Sequence, residues 1–412
     1  MGLRVTSRGW HRGIAAVLSL IVLVTVPAAA GEAPARQADH VVLVSIDGLR
    51  ADALSAETAP NLLALAARGA SCPVAETIRP SITLPSHVSM LTGLDYARHG
   101  VTWNDYRPGV TGHPTVFSVA HAAGLSTAML YGKSKFEYLA IPGTVDWMLG
   151  EPPPPSFPLF GRTIFPTWGL AALALLHVLA ALWAVLLLRA ARSCVPGGPA
   201  APPPDGRRTP LFVALVLAGP VLYAASLHLL RDVPAFYGSM VKGEWIRYPH
   251  KDERLYTDEG SAPAAAEGLA KAFVREWPAR QFGLTVVHFR DPDEAGHREG
   301  WMGPRYVKAV ARCDCALGLI VDAIRLAGLE ARTAILVTAD HGGSGRRHFA
   351  KGDPDRPEHV RIPWVCAGPG VKAGLVIHRA VRVYDTMPTV LAWLGLAAPE
   401  GIDGRAVGEV LR

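Results

Sequence analysis

The sequence predicts an α/β protein: a mostly parallel sheet sandwiched by helices and interrupted by a two-helix transmembrane insertion. Strand-like apolar runs alternate with helical patterns over residues 40–150 and again over 264–395. Two long uncharged stretches separate these regions, and three of the apolar runs end on acidic residues. Strands that alternate with helices favour a parallel sheet that is covered on both faces.

Acidic residues follow three of the predicted strands. They are Asp47 after residues 41–46, Asp291 and Asp293 after residues 284–289, and Asp340, followed by His341, after residues 334–339. The carboxyl ends of parallel strands lie along one edge of a sheet, where ligand crevices form. Acids and a histidine gathered there from distant parts of the chain predict a shared metal site.

The composition limits the classes of function. With 412 residues, the chain is long enough for one large α/β domain with insertions or for two or three ordinary domains. The net charge is +6, but no dense Lys/Arg tract interleaved with aromatic residues is present, so nucleic-acid binding is not expected. A mean hydropathy of +0.22 is high for a purely soluble enzyme, and the excess is confined to particular segments.

The first 30 residues have the features of an export signal. Three arginines within residues 1–12 form a basic start, residues 13–26 are an uncharged apolar run, and residues 27–30 supply the small side chains that a signal peptidase needs. We therefore predict a signal peptide that is cleaved after Ala30. An uncleaved N-terminal anchor is the alternative, because residues 13–30 are almost long enough to span a bilayer.

Residues 160–235 are predicted to form a transmembrane hairpin. Residues 167–188 and 211–230 carry no charged side chain, and each stretch is long enough to cross the hydrocarbon core. The loop between them contains four arginines and one aspartate, and basic short loops stay cytoplasmic. Pro220 and two histidines interrupt these stretches, so buried helices of a hydrophobic cap are the alternative.

The hairpin divides the catalytic domain into a first part, residues 40–155, and a second part, residues 240–412. An export signal followed by two spans returns the chain to the outside, so both parts are expected in the same extracytoplasmic compartment. The protein is therefore predicted to be a multi-pass membrane protein. An odd number of spans would place the acidic strand ends on opposite sides of the membrane and forbid a common site.

The spacing of acids and histidines indicates metal ligands. Asp293 and His297 lie four residues apart, so on a helical turn they share a face and can reach one ion, although an Asp-rich loop without metal is the alternative. Asp340 and His341 are adjacent at a strand end and can turn towards two different ions. Asp47 fits a third ligand position. Oxygen and imidazole ligands without thiolates suit zinc, with manganese or iron also possible.

A nucleophile is expected just before a helix. Pro85 suits the first turn of a helix, which places Thr83 just ahead of the helix start, where backbone N–H groups favour an anion. A metal-bound hydroxyl at this position can be deprotonated at neutral pH. Ser81 and Ser86 are the competing hydroxyls, and a simple helix cap is the alternative role for Thr83.

These motifs, in this order, resemble the type I phosphodiesterase/nucleotide pyrophosphatase family of the alkaline phosphatase superfamily. The similarity covers residues 40–150 and 264–408 and does not cover the hairpin. The motifs that carry it are Asp47-Gly48, Thr83-Leu84-Pro85-Ser86-His87, Leu91-Thr92-Gly93, His99-Gly100, Asp291 to His297, Asp340-His341-Gly342, Ile362-Pro363-Trp364, Gly368-Pro369-Gly370 and Asp385 to Thr389.

The resemblance implies an alkaline-phosphatase-like fold with two divalent metal ions, most simply Zn²⁺, and Thr83 as the nucleophile. The implied ligands of the metal that activates Thr83 are Asp47, Asp340 and His341, and those of the other metal are Asp293, His297 and His348. His359 is the rival for the position of His348. The family often has Asn where this chain has Ser86, and that residue supports the turn, so activity is not expected to depend on it.

Three further residues are implied to contact substrate. Asn104 occupies the place of a family Asn that binds a phosphate oxygen. Lys133 and Lys135 resemble a pair that contacts substrate in some relatives, and solvated surface charges are the alternative interpretation.

The function implied by the resemblance is hydrolysis of phosphodiester or pyrophosphate bonds through a covalent phospho-threonine at a two-zinc site. The expected partners are a phosphate-ester substrate, such as a nucleotide, a phosphodiester or a phospholipid headgroup, and membrane lipid. Phosphomonoester hydrolysis, transfer of a phospho-group to lipid or glycan, and an inactive membrane receptor or scaffold are the alternatives. The intact set of candidate ligands argues against the inactive protein.

Overall fold

A computed structural model describes residues 34–151, 157–159, 162–164, 265–349, 352 and 354–411, and the single positions 178, 182, 183 and 185. The predicted signal at residues 1–30 and nearly all of the predicted hairpin at 160–235 lie outside the described residues. Within the described residues, no helix combines the length and the apolar character needed to cross a bilayer. The signal and the hairpin therefore stay predictions.

The described strands form one eight-stranded sheet and a separate two-stranded hairpin. The strands are β1 (His40–Ile46), β2 (Ala70–Glu76), β3 (Thr127–Tyr131), β4 (Trp147–Gly150), β5 (Phe157–Leu159), β6 (Arg162–Ile164), β7 (Leu284–Phe289), β8 (Thr333–Thr338), β9 (Arg361–Ala367) and β10 (Leu375–Val376). The sheet order is β10–β2–β9–β8–β1–β7–β3–β4, and among these strands only β9 runs antiparallel to its neighbours. The predicted mostly parallel sheet is confirmed.

The central strands are buried along their whole length. Every residue of β1, β7 and β8 is buried. Successive side chains of a strand point to opposite faces of the sheet, so both faces must be covered. This explains why these strands are continuous apolar runs rather than alternating ones.

Helices form the covering layers. The α-helices are α1 (Pro60–Arg68), α2 (Thr83–Thr92), α3 (Tyr96–His99), α4 (Val116–Ala122), α5 (Ala266–Arg280), α6 (Asp291–Glu299), α7 (Pro304–Leu326), α8 (Pro357–Val360) and α9 (Thr386–Trp393). Short 3₁₀ turns occur at Ala51–Ala53, Ser134–Leu139, Glu330–Arg332, Val383–Asp385 and Gly408–Val410. Helix α7 packs against α1, α5 and α6, whereas α9 packs against α2 and α4.

The strand register brings the acidic strand ends together. Ser45 of β1 pairs with His288 of β7 on one side and with Thr338 of β8 on the other. Asp47 and Asp340 each come two residues after the paired positions Ser45 and Thr338, so they lie side by side at the carboxyl edge of the sheet. Asp293 follows His288 at the same edge. The predicted convergence of the three strand ends is confirmed.

Two helices differ from the sequence-based expectation. Thr83 is the first helical residue of α2 rather than the residue before it, since Ile82 occupies the cap position. The sequence predicts a helical pattern over residues 264–274, and helix α5 continues beyond it to Arg280. The reason is Trp277, which is fully buried and extends the packed face by one turn.

Candidate active site

Three buried carboxylates meet at the carboxyl edge of the sheet. Asp47 and Asp340 are inaccessible to solvent, and Asp293 is 4% exposed. Gly48 permits this approach: it has a φ of +72°, and a Cβ there would lie 2.9 Å from the Cα of Asp293. A Cβ on Gly343, the second residue after the Asp340-His341 pair, would lie 2.2 Å from the ring of Trp301, so this position requires glycine.

Lys133 joins two of these acids. Its Nζ donates to Oδ2 of Asp47 at 2.6 Å and to Oδ2 of Asp293 at 2.5 Å. Although burial opposes ionisation, the two carboxylates raise the pKa of Lys133. Burial likewise works against charge on Asp47, but the Lys133 ammonium and a hydrogen bond from His288 hold the pKa of Asp47 well below its usual range. This pair is therefore ionised.

Asp340 has the opposite electrostatic environment. Burial and the neighbouring charges of Asp47 and Asp293 raise the pKa of Asp340 well above its usual range. Its Oδ1 accepts a hydrogen bond from the backbone N–H of Gly48 at 3.1 Å. The Lys133 ammonium carries one positive charge, and it pairs with two of the three acids. The cluster therefore has an excess of negative charge.

One oxygen of each acid lacks a hydrogen-bond partner among the described residues. These oxygens are Oδ1 of Asp47, Oδ1 of Asp293 and Oδ2 of Asp340. The Nε2 atom of His341 lies 3.4, 3.9 and 3.3 Å from them, respectively. A buried polar atom without a partner is costly, so a bound cation is the simplest way to satisfy all three oxygens.

Three histidines near the acids contact backbone carbonyls through Nδ1. The Nδ1 atoms of His341, His348 and His297 lie 2.8, 2.6 and 3.0 Å from the backbone carbonyls of Gly342, Ser81 and Arg346. Since a carbonyl only accepts, each Nδ1 carries a proton. Metal-binding histidines are commonly held in this way. Burial lowers the pKa of His341 and of His348, so these rings are neutral and their Nε2 atoms keep a lone pair. The hydrogen bond with Asp293 instead raises the pKa of His297.

The described acids and histidines form two overlapping groups whose ligand atoms lie within 4.8 Å of one another: Asp47 with Asp340 and His341, and Asp293 with His341 and His348. The first group reproduces one implied ligand set. The second contains His341 in place of His297. The donors in both groups are carboxylate oxygens and imidazole nitrogens, which fit divalent metal ions such as zinc.

His297 and His359 lie at the margins of the site. The side chain of His297 is 44% exposed, and its Nε2 atom is 3.3 Å from Oδ1 of Asp293. His359 bonds to the hydroxyl of Ser344 at 2.7 Å instead of joining either group. The structure thus favours His348 over His359 as the third histidine.

Thr83 lies at the N-terminus of α2, facing this cluster. Its Oγ1 atom is 3.2 Å from Nε2 of His341, and the side chain is 1% exposed. His87, one turn later, donates from Nδ1 to the Thr83 carbonyl at 2.8 Å, and its Nε2 contacts the hydroxyl of Ser45 at 2.7 Å. The competing hydroxyls are engaged elsewhere, Ser81 with the His348 carbonyl and Ser86 with Thr77.

Asn104 and Lys135 lie beside the start of α2. Oδ1 of Asn104 accepts from the Leu84 backbone N–H at 2.9 Å and from Nζ of Lys135 at 2.8 Å. Both bonds use the oxygen, so the Nδ2 donor is left for another partner. Burial and the neighbouring Lys133 ammonium lower the pKa of Lys135 to about 8. The alternative that the two lysines are solvated surface charges is wrong.

Two histidines contact the acids although the sequence does not predict these contacts. His288 lies within β7, and its Nε2 donates to Oδ2 of Asp47 at 3.1 Å while Nδ1 accepts from the Gly132 N–H at 3.2 Å. For His87 the sequence predicts a structural role, and the ring also lies 3.5 Å from Oδ2 of Asp340. A titratable residue inside an otherwise apolar strand was the available signal for His288, since a buried imidazole needs a partner.

Asp291 has a structural contact. Its Oδ2 accepts from the backbone N–H of Ala266 at 3.0 Å, at the start of α5. It belongs to neither metal-type group among the described residues.

The sheet topology and the buried acid–histidine cluster define a protein with an alkaline-phosphatase-like fold and a metal-type site. The chain belongs to the type I phosphodiesterase/nucleotide pyrophosphatase family, whose model matches residues 41–352. The match includes strands from both parts of the chain and contains the acids, His297, His341, His348 and Thr83.

Two relatives match over parts of the chain. A 2,3-bisphosphoglycerate-independent phosphoglycerate mutase of Syntrophotalea carbinolica is 28% identical over 37% of this chain and 27% of that protein. An uncharacterized pyrophosphatase/phosphodiesterase of Schizosaccharomyces pombe is 42% identical over 19% of this chain and 16% of that protein. The chain thus spans less than a third of the length of these curated relatives.

A solved structure shows the same fold. Murine ectonucleotide pyrophosphatase/phosphodiesterase 5, an inactive threonine-to-alanine variant in complex with AMP, superposes with a TM-score of 0.52 at 12% identity. The superposition covers 88% of this chain and 96% of that chain. At this identity the similarity establishes the fold.

Proposed function

We propose that the protein is a metal-dependent hydrolase of phosphate esters that cleaves phosphodiester or pyrophosphate bonds with Thr83 as nucleophile. The observation that carries this proposal is the position of the Thr83 hydroxyl. It lies 3.2 Å from Nε2 of His341, the same atom that faces the unpartnered oxygens of the three buried acids. An oxygen nucleophile beside a cation site is the arrangement that phosphoryl transfer requires.

The proposed cofactor is a pair of divalent ions, with zinc favoured by the oxygen and imidazole donors. Asp47, Asp340 and His341 would hold one ion. Asp293, His297 and His348 would hold the other, with His297 turning inward from its half-exposed position. When bound, the ions supply Lewis acidity that lowers the pKa of an oxygen nucleophile and offsets charge on the phosphoryl group.

The residues of the chain supply positioning and covalent chemistry. The Thr83 oxygen forms a bond to phosphorus while the bond to the leaving alcohol or phosphate breaks. The hydroxyl proton passes to solvent, and the leaving oxygen takes a proton from solvent. Water then cleaves the phospho-threonine and releases phosphate or a monoester. The Nδ2 donor of Asn104 binds a non-bridging oxygen, and the ammonium groups of Lys133 and Lys135 offset its charge.

Two relatives support this chemistry. The murine protein is inactive after a threonine-to-alanine change and binds AMP, which fits a nucleophilic threonine and a phosphate monoester at the site. The phosphoglycerate mutase similarity favours a second candidate, transfer of the phospho-group to an alcohol instead of water. The two candidates share the phospho-threonine and differ only in the acceptor.

We also propose an extracytoplasmic membrane location. The basic start and small residues within 1–30 support export, and the uncharged stretches at 167–188 and 211–230 support a hairpin with its basic loop in the cytoplasm. Such a hairpin keeps both parts of the catalytic domain on one side of the membrane.

The proposed function is tested by metal depletion with matched variants. The wild type should hydrolyse bis(p-nitrophenyl) phosphate, lose this activity after chelation and regain it with Zn²⁺. Asp340→Asn should lower kcat by about 10³-fold or more, because it removes a charge that the cation site requires. Asp322→Asn, an exposed acid on α7, is the control and should keep wild-type activity. Full turnover after complete chelation would exclude the metal mechanism.

A further inference from the structure

The chain leaves the sheet at the edge that carries the site. Strand β4 ends at Gly150, which pairs with Tyr131, and Tyr131 in turn pairs with His288. The next residue, Glu151, accepts a hydrogen bond from the backbone N–H of Ser134 at 3.1 Å, directly after Lys133. The segment that contains the predicted hairpin therefore begins beside the site.

The chain also returns at the same edge. Helix α5 begins at Ala266, whose backbone N–H donates to Oδ2 of Asp291 at 3.0 Å. Asp291 is two residues before Asp293 of the acid cluster. From there α5 runs to the opposite edge, where β7 begins at Leu284. Both junctions of the inserted segment thus lie at the carboxyl edge of the sheet.

The few described positions within the inserted segment present an apolar helical face. Val178, Leu182 and Val185 are helical, and their exposed fractions are 55%, 55% and 47%. Within the predicted span at residues 167–188, their spacing of four and three residues would place them on one side of the helix. They belong to the uncharged stretch 167–188, so lipid is a chemically suitable partner for this face.

The rim beside the site is basic and partly apolar. Arg298, Arg346 and Arg347 are exposed, and none of them forms an ion pair with a described acidic residue. The Arg346 carbonyl accepts from Nδ1 of His297, so this basic loop borders the site. Met302, nearby in sequence, is 41% exposed. The backbone N–H of Trp301 donates to the Gly345 carbonyl at 2.7 Å, which brings the Met302 segment next to the basic loop. Basic side chains beside an exposed apolar one suit a surface of anionic lipid headgroups.

The connection into the first predicted span is short. It covers residues 152–166, which reach about 50 Å at most when fully extended. Strands β5 and β6 pair antiparallel within it, so the chain doubles back and its reach is shorter. A span that starts at residue 167 is therefore tethered to the carboxyl edge of the sheet by fewer than 15 extended residues.

From these observations we propose that the catalytic edge of the sheet faces the bilayer, and that the substrate is a phosphate ester carried by a membrane lipid. The proposal rests on the proposed function and on the predicted hairpin. It adds to them the orientation of the catalytic domain relative to the bilayer and the amphiphilic nature of the substrate.

The orientation is tested without reference to activity. In full-length protein with Cys194→Ser and Cys315→Ser, a fluorophore is attached at Met302→Cys on the site edge or at Lys372→Cys on the opposite edge. In nanodiscs that contain lipid with a spin-labelled headgroup, the label at position 302 should be quenched at least threefold more than the label at 372. Equal quenching, or stronger quenching at 372, would overturn the orientation.

The substrate class is tested with two p-nitrophenyl phosphodiesters that differ in the second ester group. One carries a hexadecyl chain and resides in the nanodisc lipid, and the other carries an ethyl group and stays in solution. The same nanodisc-embedded enzyme should show kcat/KM at least tenfold higher for the hexadecyl ester. An ethyl ester that is hydrolysed as efficiently would overturn the lipid-borne substrate.

The two tests separate the possible failures. Preferential quenching at position 302 without turnover of either ester would leave the orientation standing and contradict the proposed function. Turnover of the esters with equal quenching at the two positions would leave the proposed function standing and contradict the orientation.

Discussion

At the residue scale, the three buried acids of the site differ in their ion-pair partners. Asp47 and Asp293 share the Lys133 ammonium. Among the described residues, no lysine or arginine pairs with Asp340, whose basic neighbours are the buried imidazoles of His87 and His341. The sequence patterns predicted the acids, which follow strands, and Thr83, which lies at a helix start, whereas Asn104 was implied only by the family resemblance. Sequence could not predict that Lys133 bridges two acids, since that contact joins residues far apart in the chain.

Lys135 should make substrate binding dependent on pH. Its pKa is lowered to about 8, so the ammonium is present below about pH 8 and is lost above it. The wild-type KM should therefore rise as the pH passes from 7 to 9. In Lys135→Met, KM should be about 10- to 100-fold higher at pH 7, as expected for loss of a charge-assisted hydrogen bond, and should not change across this range.

Steady-state kinetics at several pH values measure this effect. Lys271→Met, on an exposed part of α5, is the control and should keep both the wild-type KM and its pH dependence. If Lys135→Met retained the wild-type rise in KM, another group would be responsible for it.

At the element scale, the junctions after the strands set the geometry of the site. The apolar runs predicted β1, β7 and β8 because fully buried parallel strands need continuous apolar residues. The exact start of α2 was missed by one residue, since hydrogen bonding rather than composition decides where a helix begins. His288 was missed because its role depends on the strand register between β7 and β1, which the sequence of β7 alone does not contain.

Gly48 should be irreplaceable at the end of β1. Gly48→Ala adds a Cβ 2.9 Å from the Asp293 main chain and also has an unfavourable positive φ. Gly124→Ala is the matched control, because Gly124 has a φ of +79° and open space around its Cβ. The control should lose only about 1 kcal/mol of unfolding free energy.

Denaturant unfolding and Zn²⁺ titration measure the difference between the two variants. Gly48→Ala should lose more unfolding free energy than Gly124→Ala and should bind Zn²⁺ at least tenfold more weakly. Equal losses in both variants, with unchanged Zn²⁺ affinity, would show that the contact between Gly48 and Asp293 does not shape the site.

At the scale of the whole molecule, one sheet is assembled from two parts of the chain. Strands β1 and β3 come from the first part, and β7, between them in the sheet, comes from the second. The sequence predicted this arrangement because a common site requires both parts in one compartment. The order of the strands could not be predicted, since it depends on packing between elements that are distant in the chain.

The predicted topology places the basic loop of the hairpin in the cytoplasm. With Cys194→Ser and Cys315→Ser as background, Pro203→Cys should be protected from a membrane-impermeant thiol reagent in intact cells and should react after lysis. Lys372→Cys, in the catalytic domain, should react in intact cells. Labelling at position 203 before lysis would contradict the hairpin topology.

The central claim is that Thr83 becomes phosphorylated during turnover. Zn²⁺-loaded enzyme is mixed with bis(p-nitrophenyl) phosphate, quenched in acid within the first turnover and digested for mass spectrometry. The account predicts a p-nitrophenyl phosphate adduct on the peptide that contains Thr83, located on that residue, and no adduct in Thr83→Ala. An adduct on Ser81 or Ser86, or full turnover in Thr83→Ala, would contradict it.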